Sequence, residues 1–133
     1  GSEMCIRDRY EDWRLTPEER AVDLAGQLST EEIAGLMLYS AHQSIPGASK
    51  GFGTSTYNGK SFDKSGAQPS DLSDAQRKFL TEDNVRHVLV TRVQSPEVAA
   101  RWNNNVQALV EGIGHGILRS LIIPMRRISP SSL

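Results

Sequence analysis

The sequence predicts an α/β fold with a parallel sheet. Stretches with apolar residues at helical spacing alternate with short β-branched runs. Their order is helix, strand, loop, helix, strand, helix, strand, which is the arrangement of parallel α/β proteins. The balance is that of one ordinary globular domain: 133 residues, 38% apolar and 23% charged.

The first helix is predicted over 17–28. Thr16-Pro17-Glu18-Glu19 gives a capping hydroxyl, a proline at the first helical position and a capping-box glutamate. Ala21, Leu24, Ala25 and Leu28 then fall on one stripe, which predicts a buried face. Ser29-Thr30-Glu31-Glu32 repeats the box and opens a short second helix. The run 36–40 is expected to be the first strand, although Leu36 and Met37 also stack with Ile33 at helical spacing. Residues 44–71 are rich in Gly, Ser and Thr and predict a long loop with moderate disorder. A helix over 74–80 and a strand over 85–93, containing His87-Val88-Leu89-Val90-Thr91, follow it. Ser95-Pro96-Glu97 opens the longest helix, 96–113, with the stripe Val98, Trp102, Val106, Leu109 and Ile113. Gly114 and Gly116 end it, and a further strand should begin at Ile117.

Charge and composition exclude several classes. Lys plus Arg is 15 and Asp plus Glu is 16, so the basic excess of a dedicated nucleic-acid binder is missing. The longest strongly apolar runs, 33–39 and 121–124, are far short of the ~20 residues of a membrane span. Neither nucleic acid nor membrane is therefore an expected partner. The single cysteine, Cys5, excludes an internal disulfide framework and a cysteine-based zinc cluster. No charged-then-apolar leader opens the chain.

Chemical motifs are scarce. The stretch from Gly53 to Ser61 suggests a phosphate-binding loop, but it has five residues between its glycines where the pattern needs four. It reads as a flexible polar loop. His42, His87 and His115 are too dispersed for a metal site, and neither metal nor cofactor is expected. His87 lies within a strand and reads as a structural, hydrogen-bonded residue. His115 sits at a helix C-terminus, where the dipole favours a cation. His42 and Gln43 follow the first strand, at the end where parallel α/β proteins bind ligands. They are the candidate substrate-binding residues. The acids read as caps (Glu18, Glu19, Glu31, Glu32, Asp71, Asp74, Glu97), polar turns (Asp63, Glu82, Asp83) or solvated helix positions (Asp23, Glu111). No catalytic residue is assigned.

Two segments carry a family resemblance. Leu28-Ser29-Thr30-Glu31-Glu32-Ile33-Ala34-Gly35-Leu36-Met37 resembles the segment that leads family 3 glycoside hydrolases into their first barrel strand. Ala100-Arg101-Trp102-Asn103-Asn104-Asn105-Val106-Gln107 resembles that family's Trp-Asn-x-x-Gln helix, and residues 112–117 the Gly-Ile before its second core strand. The run 37–43 is similar to the bacterial β-glucosidase branch. The resemblance implies the N-terminal fragment of a TIM-type (β/α) barrel, from an exo-acting, retaining enzyme that cleaves a β-linked glucoside or xyloside. Its parent would be periplasmic or secreted. The nucleophile and the acid/base would fall outside this chain, which is therefore expected to be inactive alone. Trp102 reads as a core anchor rather than a sugar platform.

The ends depart from the family. Residues 118–133 carry Arg119, Arg126 and Arg127 and no acid, leaving the first 117 residues at −4 (12 basic, 16 acidic). The family's Asp-Pro-Arg-His-Gly type segment is absent there, and the tail resembles an out-of-frame reading. Residues 1–9 read as a non-native leader, and 10–117 as the barrel fragment. Self-association through exposed barrel edges is expected. The alternative is a small independent α/β binding or interaction domain, in which residues 118–123 would be paired and buried.

Overall fold

The computed structural model describes residues 9–43, 55–90, 94–117 and 120–122. A 3-10 turn at Arg9–Glu11 precedes helices α1 (Pro17–Gln27) and α2 (Thr30–Met37) and strand β1 (Tyr39–Ala41). A hairpin of β2 (Thr56–Tyr57) and β3 (Lys60–Ser61) runs into a second 3-10 turn, Phe62–Lys64. Helix α3 (Asp74–Thr81), strand β4 (His87–Leu89), helix α4 (Pro96–Glu111) and strand β5 (Ser120–Ile122) complete the order.

The caps form as the local sequence dictates. Thr16 and Glu19 close one reciprocal capping box, and Ser29 and Glu32 close another. Ser95 accepts from Val98 N–H, and Pro96 occupies the first turn of α4. Helix α2 keeps Leu36 and Met37, so the first strand begins at Tyr39 rather than at 36. The capping box and continuous backbone bonding through Met37 override the β character of that short apolar run.

Strands β1, β4 and β5 make one parallel sheet in that spatial order. Tyr39, His87 and Ser120 are in register, as are Ser40, Val88 and Leu121. Each strand lies beside the one before it, and α3 and α4 are the two crossovers. Both pack on the same face. Val88, Leu72, Leu80 of α3, and Trp102, Val106 and Val110 of α4 form one buried cluster. Trp102 is a core anchor, 1% exposed. Val110 is fully buried and Leu109 only partly, a small rotation of the predicted stripe.

Among the described residues, no helix joins the buried cluster from the other face of the sheet. Ser40 is 7% exposed, whereas its neighbour Tyr39 is 66% exposed. His87 and Leu89 flank buried Val88 and are half-buried.

Two expectations need correction. No residue of α1 is fully buried: of its predicted stripe Leu24 and Leu28 are half-buried and Ala21 and Ala25 exposed. The described neighbour is the 3-10 turn at Arg9–Glu11, joined by Tyr10 N–H to Asp23 and by Arg20 to Tyr10 O. The loop 44–71 contains the β2–β3 hairpin and a 3-10 turn, so its described part, 55–71, is ordered. Its first part, 44–54, lies outside the described residues, as do the leader at 1–8 and residues 91–93. Residues 120–122 form β5 and pair with β4, within the stretch where the sequence expects the next strand. Residues 123–133 lie outside the description.

Candidate functional site

Ligands of parallel sheets gather at the carboxyl ends of the strands. Strand β1 delivers His42 and Gln43 to that end. His42 N–H donates to Leu89 O at 3.1 Å, which prolongs the pairing of β1 with β4. Its ring centre lies 4.3 Å from that of Trp102, tilted by 56°, and its Nδ1 is 3.0 Å from Gln43 O. His42 thus leans on the helix-facing core.

Gln43 is 7% exposed and clamps the loop that returns to α3. Its Nε2 donates to Asp71 O at 2.7 Å and to Pro69 O at 3.3 Å. Its Oε1 accepts from Ser73 N–H at 2.9 Å. From α4, Asn105 Nδ2 donates to Ser70 O at 2.9 Å. Asp71 accepts from Gln68 N–H at 2.8 Å. A built loop therefore closes over the end of β1.

The hairpin stands on the same loop. Asn58 and Gly59 both take positive φ, 50° and 74°, the conformation of a two-residue hairpin turn. Asp74 accepts from both of their N–H groups, at 2.8 and 2.9 Å. The Gly59 N–H, then the Thr56 side chain and the Asn58 N–H, hold the Asp74 carboxyl below the usual carboxylate range. Tyr57 meets Phe62 edge to face at 6.1 Å. Of the stretch read as a flexible polar loop, the described part, 55–61, forms this hairpin. Asp74 is its anchor, while Ser73 is the N-cap of α3.

The remaining sequence candidates lie elsewhere. His115 enters the β5 side at the opposite end of the sheet, where Nδ1 is 3.0 Å from Glu32 Oε1. The Tyr10 ring approaches it edge-on at 6.0 Å. The Ser29 N–H, and secondly His115, hold the Glu32 carboxyl low. Arg86, absent from the sequence candidates, is 6% exposed. It donates to Leu80 O at 2.8 Å, Val85 O at 3.2 Å and Ile117 O at 3.1 Å; burial lowers its pKa. Asp23, expected to be solvated, accepts from Tyr10 N–H at 2.9 Å and from Gln27 at 3.1 Å. Among the described residues no group of three or more His, Cys, Asp or Glu could hold a metal ion, and no helix is long and apolar enough to cross a membrane.

No family model matches the chain. Over 110 residues, 81% of its length, it is 34% identical to a periplasmic β-glucosidase/β-xylosidase of Dickeya chrysanthemi. The resemblance to family 3 glycoside hydrolases therefore holds over most of the chain. The matched part is 14% of that relative's length. In this glycoside hydrolase segment, His42 and Gln43 lie where the sequence places them, at the end of the first strand. The Gln43 amide is engaged with residues 69–73, and Asp74, next to Ser73, anchors the hairpin.

Proposed function

We propose that the chain is the N-terminal part of a TIM-type barrel from a retaining, exo-acting β-glycosidase of carbohydrate breakdown. The identity to the β-glucosidase/β-xylosidase over 110 residues carries this reading. The sheet supports it. Strands that follow one another in space, with both crossovers on one face, are the progression of a barrel. Parallel sheets are normally covered on both faces, and the side bearing exposed Tyr39 matches a barrel interior whose other strands this chain does not supply.

The substrate class is a β-linked glucoside or xyloside, and the parent enzyme is periplasmic. Retaining hydrolysis places two carboxyl groups about 5–5.5 Å apart across the sugar. Here the described acids that have hydrogen-bond or ion-pair partners serve caps, turns, the hairpin, helix-surface ion pairs and the Asp23–Tyr10 contact, so the nucleophile and acid/base are assigned to later parts of the parent. His42 and the Gln43 amide form part of the polar rim at the first strand end. The chain alone releases no nitrophenol from aryl β-glucosides or β-xylosides.

The test grafts residues 15–117 into the Dickeya enzyme in place of the matched segment. Activity on those substrates within about tenfold of the parent supports the reading. A folded graft without activity, or hydrolysis by the isolated chain that a carboxylate substitution abolishes, overturns it.

A further inference from the structure

Helices α1, α2 and α3 open on the same kind of sequence: Thr16 to Glu19, Ser29 to Glu32, and Ser73 to Gln76. In the first two the box closes in both directions. In α3 only half of it forms. Ser73 Oγ accepts from Gln76 N–H at 3.2 Å, but Ser73 N–H donates to Gln43 Oε1. The displaced Gln76 side chain does not go to solvent. It is 1% exposed, and both its Oε1 and its Nε2 are buried without a hydrogen-bond partner.

A buried amide left in this way is costly, and native structures rarely keep one without a reason. The third helical residue is the position from which a Gln side chain reaches back to the cap's own N–H. We propose that Gln76 is a second acceptor for the Ser73 N–H, and that passing this hydrogen bond from Gln43 to Gln76 frees the Gln43 Oε1 at the end of β1.

The exchange conserves the number of bonds at Ser73. It satisfies Gln76 Oε1 and releases Gln43 Oε1, so the two states are close in free energy. Once released from Ser73, Gln43 Oε1 becomes a free acceptor at the carboxyl end of β1, while Nε2 keeps its bonds to Asp71 O and Pro69 O. A ligand rich in hydroxyl groups would select that state; this last step rests on the glycosidase reading, whereas the exchange itself does not. Gln76 is thus a positioning residue acting through Ser73 and Gln43.

Amide hydrogen exchange on the 133-residue chain tests the proposal without any saccharide, so failure of sugar binding cannot be mistaken for failure of the hydrogen-bond exchange. The Val88 amide reports the integrity of the fold. In Gln43→Ala, Gln76 takes over and Ser73 exchange, relative to Val88, rises less than about threefold. In Gln43→Ala with Gln76→Leu no acceptor remains, and it rises about tenfold or more. An equal rise in the single and double variants overturns the proposal. If Gln43→Ala loses Val88 protection, Gln76→Glu in the otherwise native chain decides. The stronger capping acceptor should shift the Gln43 side-chain amide signals as Oε1 loses its partner, and unchanged signals overturn the exchange.

Discussion

Gly35 of α2 lies against the carbonyl of Asn84: a β-carbon built on Gly35 would stand 2.5 Å from Asn84 O and 2.5 Å from Asp83 O. A glycine inside a helix costs about 1 kcal/mol relative to alanine. Here it lets α2 close on the turn that leads into β4, where Asn84 takes φ 53°. That approach sets β1 beside β4.

Gly35→Ala should therefore destabilise the chain by about 1–3 kcal/mol, the usual cost of overpacking. Gly26, in α1, is the control, because a β-carbon there meets nothing within 4 Å. Gly26→Ala should stabilise by up to about 1 kcal/mol. Urea melts of both variants check the pair, and a stabilised Gly35→Ala would refute the close-packing argument.

Arg86 is a second buried determinant. Its guanidinium joins the last turn of α3, through Leu80 O, to the approach to β5, through Ile117 O. Arg86→Met leaves buried carbonyl groups without this donor and should cost about 1–3 kcal/mol. Arg86→Lys should recover only part of that loss, because an ammonium lacks the planar fork. Arg77→Met, at an exposed position, should stay within about 0.5 kcal/mol. Chemical denaturation of the three variants checks the ranking.

What the sequence made legible was local. The boxes at Thr16 and Ser29 need four residues each, so they could be read directly. His42 and Gln43 could be placed because a strand end follows from element order. The partners of Gln43 lie 26–30 residues away, and nothing in the local pattern indicates them. The Asn58-Gly59 pair is a hairpin signal, but its flanks, Thr56, Tyr57, Lys60 and Ser61, lack the alternation that would have confirmed it. The stripe of α1 illustrates the converse. Periodicity specifies a face, and what covers that face depends on the rest of the fold.

The hairpin anchor should be sensitive to acid. Hydrogen bonds to its charged form hold the Asp74 carboxyl low, so they contribute fully above the ordinary carboxylate pKa of about 4. The contribution is lost as pH falls through the lowered value in the folded state. Glu19 and Glu32 shift in the same direction, each first through the N–H of its own cap residue. The Asn58 and Gly59 amide resonances should titrate together with a midpoint below about 4. Asp74→Ala should abolish that titration and raise the exchange of both amides, while Val88 keeps its protection. A midpoint above the ordinary carboxylate range would contradict the geometry.

The open edge of the sheet leads to the last prediction. Strand β1 is outermost among the described strands. A groove beside it is lined by Leu38, Tyr39 and Phe79 and rimmed by Glu31, Glu82 and Asp83. Leu38 is 56% exposed and Tyr39 66%, so apolar side chains and strand backbone face solvent together. Edges of this kind template pairing unless a charge blocks them. The expected occupant in solution is a second copy, meeting β1 across a two-fold axis. In that pair the acidic rims face each other, so added salt should strengthen association by screening their repulsion. Leu38→Glu adds a further negative charge to the facing acidic rims and should return the chain to monomer at the same concentration. Sedimentation velocity across protein and salt concentrations reads both effects. A monomer at every concentration, or association that weakens with salt, would rule out the symmetric β1 contact.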